Sequence, residues 1–167
     1  MRTFCWSWLL VSLVAVGLAA QDNPDFSGRW VLEDPPPSGP DIPRTLTVSQ
    51  PIVRTNVFGA PMPPTFLLLS VERQVQSGVR SETYHISTVG GVVESDGTES
   101  LVSVRWRGDR LHIETSVYDS GPARDSGPHT EHNEEWGFDQ DGRLRIIVTD
   151  RRSDSEVSTH TLVYRRQ

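Results

Sequence analysis

The chain has 167 residues and a formal charge of −6, with 22 acidic residues against 16 basic ones. All of the basic residues are Arg, since the sequence contains no Lys. A length of this order suits a single domain. The acidic balance argues against a nucleic-acid partner, because no run of Arg is longer than the pairs at 151–152 and 165–166.

The first twenty residues have the layout of a secretory signal peptide. Arg2 precedes an apolar run from 4 to 18, and the small residues Ala19 and Ala20 follow it. The run is too short for a helix that would stay in the membrane. We therefore expect residues 1–20 to be cleaved after Ala20, with Ala19 as the alternative, leaving one domain of residues 21–167 without a membrane anchor.

Cysteine usage points to the compartment. The one cysteine, Cys5, lies in the predicted signal peptide, so the mature chain has none. This excludes disulfides, thiolate metal sites and cysteine nucleophiles from the mature protein. Export without disulfides favours a periplasmic or secreted bacterial protein over a eukaryotic secreted domain.

Composition predicts an all-β fold. Residues 21–167 contain only Ala60 and Ala123 as alanines, and their apolar residues are mainly Val, Ile and aromatic ones, which prefer strands. No stretch repeats apolar residues at helical spacing. Ten of the twelve prolines fall between Pro24 and Pro64, and the segment 34–43 is expected to be a Pro-rich surface loop.

Alternation of apolar and polar residues predicts about ten strands. They are expected at 26–33, 44–50, 52–58, 65–75, 79–87, 92–95, 99–107, 110–119, 130–139, 144–152 and 156–165. Short turns such as Gly108-Asp109 and Asp141-Gly142 join many of them, as is typical of hairpins. Strands joined in this way form an up-and-down antiparallel meander, which protects its edges best by closing into a β-barrel.

The alternation also assigns side chains to the inside of the barrel. In the last strand either set of alternate residues could face inward, because Val157 and Val163 lie on one face and Leu162 and Tyr164 on the other. The outer faces are polar, which argues against a membrane-spanning barrel. On three earlier strands the inward positions are expected to be Val102, Val104, Trp106, Leu111, Ile113, Thr115, Val117, His132, Glu134, Trp136 and Phe138.

The segment 26–32, Phe-Ser-Gly-Arg-Trp-Val-Leu, carries a family resemblance. A Phe-Ser-Gly-x-Trp-x-Leu strand at the start of a mature chain resembles the first strand of calycins, the superfamily of lipocalins and fatty-acid-binding proteins. It is still more similar to secreted bacterial lipocalin-like proteins that open with this motif, continue with a Pro-rich loop and end with a strand like 161–164. The resemblance implies a lipocalin-like barrel in which Trp30 packs across one end and Gly28 allows close backbone approach.

At the level of fold, the resemblance also implies binding of small apolar molecules in the barrel. The chain departs from lipocalins in lacking their disulfide and C-terminal helix. It departs from fatty-acid-binding proteins in having the Pro-rich loop where those proteins have a helical lid.

Polar residues expected inside the barrel are the candidate binding residues, because buried polar groups need partners, either one another or the head group of a ligand. Arg80 and Glu82 share the face of Tyr84 and could join them. With the inward aromatic residues, the predicted ligand-binding set is Trp30, Tyr84, Trp106, His132, Glu134, Trp136, His160 and Tyr164.

Metal sites and catalysis are not favoured. His129 and His132 are three residues apart, which places them on opposite faces of a strand. The segments 119–122 and 125–128 repeat Asp-Ser-Gly-Pro but lack the alternating carboxylates of a calcium loop. An acid–base pair of His132 and Glu134 has no nucleophile motif beside it. We expect no catalytic residues, no metal and no cofactor.

The leading expectation is an exported, non-enzymatic protein that holds a small, largely apolar molecule in the barrel cavity. The alternative is a filled-core barrel that acts as a protein-interaction module of the envelope, through the Pro-rich loop or the apolar segment 57–69. The free volume inside the barrel distinguishes the two. A carrier needs small residues opposite its aromatic side chains to leave a cavity, and the chain has few of them.

Overall fold

The computed structural model describes residues 23–33, 42–53, 56–57, 60–61, 65–86, 91–95, 98–119, 130–153 and 157–167. The predicted signal peptide, most of the Pro-rich loop and the repeated Asp-Ser-Gly-Pro segments beyond Asp119, together with His129, lie outside these residues. None of the described segments contains a helix that could cross a membrane.

The described secondary structure consists of strands. They are β1 (Gly28–Leu32), β2 (Thr45–Ser49), β3 (Ile52–Val53), β4 (Asn56–Val57), β5 (Ala60–Pro61), β6 (Thr65–Phe66), β7 (Leu68–Val75), β8 (Gly78–His85), β9 (Gly91–Ser95), β10 (Thr98–Arg107), β11 (Arg110–Asp119), β12 (Thr130–Phe138), β13 (Leu144–Arg152) and β14 (Ser158–Arg166).

Ten strands form one antiparallel sheet in the order β8-β7-β2-β1-β14-β13-β12-β11-β10-β9. With the short strands β3 to β6 set aside, neighbours in the sheet are neighbours in the chain, and the first strand also pairs with the last. The sheet is therefore a nearly closed up-and-down barrel, and the predicted all-β class is confirmed. Within the described residues the seam of the barrel lies between β8 and β9, which share no backbone pairing.

Two predicted strands are divided in the structure. The prediction of one strand over 52–58 is wrong, because β3 pairs with β6 and β4 pairs with β5 in two ladders outside the main sheet. The predicted strand 65–75 breaks at Leu67, which separates β6 from β7 and is 42% exposed. Four prolines at 51, 61, 63 and 64 remove backbone donors from this region, which disfavours a continuous ladder.

The inward faces predicted for β10, β11 and β12 are confirmed. The first part of β11 and the last part of β12 contribute fully buried side chains, and their neighbours in the hairpin pack against them. The predicted inward residues that belong to the core or pack on it are Val102, Val104, Trp106, Leu111, Ile113, Trp136 and Phe138.

The structure also settles the parity of β14. Leu162 and Tyr164 enter the core, whereas Val157 is 51% exposed. Tyr164 lies opposite Leu144 on β13 and opposite Leu32 on β1. The two neighbouring strands therefore select the parity that the alternation of β14 leaves open.

One end of the barrel is filled by an aromatic cluster, defined as Phe26, Trp30, Trp106, Trp136 and Phe138. Phe26 is its centre, with ring centroids 5.8 Å from Trp106, 5.9 Å from Trp136 and 5.1 Å from Phe138. The backbone N–H of Phe26 donates to Oε1 of the buried Gln50 at 2.8 Å, and its carbonyl accepts from the indole N–H of Trp30 at 2.9 Å. These bonds hold the N-terminal segment across the barrel end.

Gly28 allows the last strand to cover this cluster. Its φ of 138° is in the range that favours glycine, and an added Cβ would lie 3.0 Å from Nε of Arg166. The guanidinium of Arg166 lies 5.2 Å from the ring centroid of Trp30 and donates to the carbonyl of Ser27. The backbone conformation therefore favours glycine at position 28, and a Cβ there would also require the Arg166 side chain to shift slightly.

Candidate functional site

Burial of the barrel interior falls from one end to the other. On β11, Leu111 and Ile113 are at most 1% exposed, whereas Thr115 and Val117 further along the same face are half-buried. We call the end where β11 finishes the open end, and the end filled by the aromatic cluster the closed end. The inward residues that become half-buried toward the open end of β12 to β14 are Thr130, His132, Asp150 and His160.

A row of alternating charges lies across the interior. We define this ionic row as Glu82, Arg73, Glu134, His132 and Asp150. Arg73 donates from Nε to Oε2 of Glu82 and from Nη2 to Oε2 of Glu134, both at 2.9 Å. His132 places Nε2 3.0 Å from Oε1 of Glu134 and Nδ1 2.6 Å from Oδ1 of Asp150. Each cation therefore bridges two carboxylates.

The ionic row joins strands that are not neighbours. Arg73 on β7 and Glu134 on β12 are separated by four strands of the sheet, so their contact spans the barrel. The indole N–H of Trp136 donates to Oε2 of Glu134 at 2.7 Å, and the guanidinium of Arg73 lies 5.7 Å from the centroid of the same indole. Trp136 thus anchors the middle of the row to the aromatic cluster.

The middle of the row is buried and its two ends reach solvent. The side chains of Arg73 and Glu134 are 11% and 6% exposed, whereas those of Glu82 and Asp150 are 41% and 40% exposed. The Tyr84 hydroxyl donates to Oε2 of Glu82 at 2.7 Å, beside one of these ends. A buried ion pair is stable only while both charges keep their partners, and here each buried charge has more than one.

These contacts shift the pKa values in opposite directions. The hydrogen bond to Glu134, opposed by burial and aided by Asp150, raises the pKa of His132 to about 9. Burial acts to raise the pKa of Glu134, but Arg73 and His132 together hold it well below its usual range. Burial also raises the pKa of Tyr84 above its usual range, so its hydroxyl keeps the proton that it donates. Because its pKa is about 9, the His132 side chain is protonated at neutral pH.

The two shifts predict that stability passes through a maximum between pH 4.5 and pH 6.5, the ordinary pKa values of the two groups. The raised pKa of His132 contributes stability that is complete below 6.5 and is lost as the pH rises through about 9. The lowered pKa of Glu134 contributes stability that is present above 4.5 and is lost as the pH falls further. Urea denaturation from below pH 4.5 to above pH 9 checks the prediction, and His132→Gln should reduce the loss of stability on the alkaline side. An alkaline loss that is unchanged in His132→Gln would contradict it.

Three of the predicted binding residues lie in or beside the ionic row, and Trp136 also donates to Glu134 from the core. His132 and Glu134 belong to it, and Tyr84 contacts its end at Glu82. His160 is half-buried on the same inner surface, opposite Val148, and its described contacts do not bring it to the row.

Four other predicted binding residues belong to the core of the closed end. Trp30, Trp136 and Tyr164 are at most 1% exposed. All three donate hydrogen bonds within the protein, and Tyr164 donates to the carbonyl of Pro43 at 3.0 Å. Trp106 is half-buried against the ring of Phe26. The three tryptophans pack on Phe26 or Phe138, and Tyr164 belongs to the same core.

Arg73 and Asp150 belong to the ionic row but are not among the predicted site residues. Arg73 follows Val71 on the inner face of β7, and Asp150 follows Val148 on the inner face of β13. A charged residue at an inward position of an apolar strand needs a buried partner, and that signal was present in the sequence. For Arg73 the identity of the partner was not, because Glu134 comes from the opposite wall of the barrel, whereas the partner of Asp150 is His132, directly opposite on the neighbouring strand.

The contacts of His132 disfavour it as a general base at neutral pH. Both ring nitrogens of His132 contact carboxylates, and the raised pKa keeps both of them protonated at neutral pH. Neither nitrogen then has a lone pair that could accept a proton from a substrate. Within the described ranges, no group of three or more His, Cys, Asp or Glu side chains is arranged to hold a metal ion.

No protein-family model matches the chain, and no curated protein matches it either.

Proposed function

We propose that the protein is an exported, non-enzymatic binding protein that holds a small, largely apolar molecule in the open half of the barrel. The observation that carries the proposal is the fall in burial along the interior, from the filled closed end to the half-buried surface around the ionic row. Binding of a ligand over half-buried apolar surface is favourable, because it removes that surface from water. The resemblance to calycins supports the barrel interior as the place of binding.

The open half offers contacts for both an apolar body and a polar head. Val102, Thr115 and Val117 supply half-buried apolar surface on adjoining strands. The exposed ends of the ionic row supply a small number of fixed polar groups, as ligand sites usually do. The proposed ligand is small, because the aromatic cluster occupies the closed half.

Native mass spectrometry of residues 21–167, purified from a bacterial periplasm, tests the proposal. We expect a reproducible extra mass on the native protein that is absent after denaturation. Thr115→Trp should abolish this mass, because Thr115 lies on the inner face opposite His132 and the indole would fill the open half.

Ser116→Trp is the matched control, since Ser116 is the next residue of the same strand and faces outward. It should keep the extra mass. A bare wild-type mass that persists after incubation with a lipid extract contradicts the proposed function.

A filled-core barrel that binds an envelope protein is the second candidate. The aromatic cluster favours it, because five large rings occupy the interior volume of the closed half. Exposed apolar side chains on the outside could contribute to such an interface, with Leu67 at 42%, Val79 at 60% and Leu101 at 39% exposure. A bare native mass together with co-purification of a partner that Val79→Asp displaces would favour this candidate.

A further inference from the structure

Strand β8 lies at the edge of the sheet, and β7 is its one neighbour among the strands that the structure describes. It is eight residues long, contains no proline and is exposed along most of its length. An edge strand of this kind presents backbone N–H and C=O groups with which another strand can pair. The edge is therefore a candidate interaction surface, independent of what the barrel interior binds.

The hairpin with β7 decides which backbone groups of β8 point out of the sheet. Val75 lies opposite Gly78 across a two-residue turn, and the N–H of Ile86 donates to the carbonyl of Leu67 at 2.9 Å. Even-numbered residues of this stretch therefore bond to β7, because successive residues of a strand direct their N–H and C=O groups to opposite sides. The groups that point outward belong to the odd-numbered residues of β8, which are Val79, Ser81, Thr83 and His85.

The outer face of β8 is suited to pairing with a further strand. The side chains of Val79, Ser81 and Thr83 are all exposed there, and Val79 is 60% exposed. Edge strands often avoid such pairing by means of charged side chains, proline or a bulge. These three residues are instead uncharged and small or β-branched, as is typical of side chains that pack across paired strands.

The charges on the inner face of β8 select the partner strand. Arg80 and Glu82 are two residues apart and opposite in sign. In an antiparallel pair of two β8 strands with the two-fold axis at Ser81, Arg80 of each copy lies opposite Glu82 of the other. An axis at Arg80 or at Glu82 would place like charges opposite each other. Charge complementarity therefore favours a second copy of β8 in one register, whatever contacts each side chain makes within its own barrel.

We propose that two copies of the protein associate through β8, antiparallel and with the two-fold axis at Ser81. The hydrogen-bonded pairs are then Ser81 with Ser81 and Val79 with Thr83, the residues whose backbone groups point outward. Arg80 and Glu82 form the other pairs, in which side chains lie closest. One pair of strands is a small interface, so we expect a reversible dimer with a Kd on the order of 10–100 µM.

Single cysteines test the register, because residues 21–167 contain none of their own. Ser81→Cys places two thiols opposite each other, with Cα atoms about 5.5 Å apart, which suits a disulfide. In Val79→Cys or Thr83→Cys the two equivalent residues lie roughly 14 Å apart along the strands, which is too far. Under mild oxidation, Ser81→Cys should form a covalent dimer at least about tenfold faster than either of these variants alone. A mixture of Val79→Cys and Thr83→Cys should cross-link one variant to the other.

Sedimentation velocity of residues 21–167 over a range of concentrations measures the association without a cross-link. Ser81→Pro should weaken the dimer at least about tenfold, because it removes an N–H that points outward and leaves the bonds of β8 to β7 in place. Ser81→Lys is a second variant with the same expected effect, since it opposes two like charges at the axis. Ser81→Ala is the matched control and should associate like the wild type, and circular dichroism verifies that each variant is folded.

Two results would overturn the proposal. One is a wild-type chain that stays monomeric at all concentrations, together with equal cross-linking of the three cysteine variants. The other is a dimer that Ser81→Pro and Ser81→Lys leave unchanged, because its interface then lies elsewhere on the protein. Neither result bears on the proposed binding function, which concerns the barrel interior and is tested by the extra mass in native spectra.

Discussion

Glu134→Gln is expected to lower the free energy of unfolding by about 3–5 kcal/mol, the usual cost of breaking a buried ion pair from one side. Glu134 is 6% exposed and contacts Arg73, His132 and Trp136 through its two oxygens. The amide keeps the size of the side chain but removes its charge. Arg73 then stays nearly buried with Glu82 as its remaining described anionic partner. Urea denaturation near pH 6, followed by tryptophan fluorescence, measures the loss.

Glu82→Gln is the matched control for this prediction. It makes the same chemical change at the half-exposed end of the row, where we expect a loss below about 1 kcal/mol. Arg73→Met should destabilise about as much as Glu134→Gln, and the double variant should lose less than the two single losses added together, by roughly 0.5–3 kcal/mol. Equal losses for Glu134→Gln and Glu82→Gln would contradict a buried centre with solvated ends.

Trp30→Ala is expected to lower the free energy of unfolding by about 3–5 kcal/mol, the usual range for removing a buried tryptophan. Trp30 is 1% exposed and packs on Phe138 with a centroid distance of 5.8 Å. It also holds the N-terminal segment through its bond to the carbonyl of Phe26 and lies beneath Arg166. Its removal therefore leaves a cavity and loosens both chain ends, as the urea midpoint would report.

Two further variants are the controls for this prediction. Val79→Ala removes apolar atoms from a side chain that is 60% exposed, and its effect should stay within about 0.5 kcal/mol. Trp30→Phe keeps an aromatic ring but loses the indole N–H, so its loss should fall between the other two. A Trp30→Ala protein as stable as the Val79→Ala protein would show that the aromatic cluster is not the core of the closed end.

Local patterns predicted much of the barrel. The bounds of β11 and β13 agree with those expected from alternation, 110–119 and 144–152. The turns before them contain Gly108 and Gly142, with φ of 65° and 74°, as hairpin chemistry requires. Alternation and turn type depend on residues close in sequence, so one strand at a time can be recognised from the chain alone.

Prediction was wrong where a local pattern was interrupted, and it stayed open where the pattern was ambiguous. The segment 52–58 alternates like a strand, but its pairing with later residues divides it between β3 and β4. The parity of β14 was open because both of its faces carry apolar residues, and only its register beside β1 and β13 decided it. Pairing with other strands, rather than intrinsic preference, controls both cases.

For the candidate site, inward parity identified Tyr84, His132 and Glu134 before the structure did. It did not identify Arg73 as the partner of Glu134, because four strands of the sheet lie between β7 and β12. It also placed the buried tryptophans Trp30 and Trp136 around a ligand, whereas the structure packs them into the aromatic cluster. Parity shows which side chains share the interior but not which of them meet.

By itself, the sequence determined the strands, their tight turns and the inner face of most of them, since these follow from neighbours along the chain. Only the tertiary structure decided that one half of the barrel is filled while the other keeps a charged, half-buried interior. The contact between Arg73 and Glu134 exists because closure of the sheet brings opposite walls together. That distance depends on the curvature and stagger of the whole barrel, which no short stretch of residues encodes.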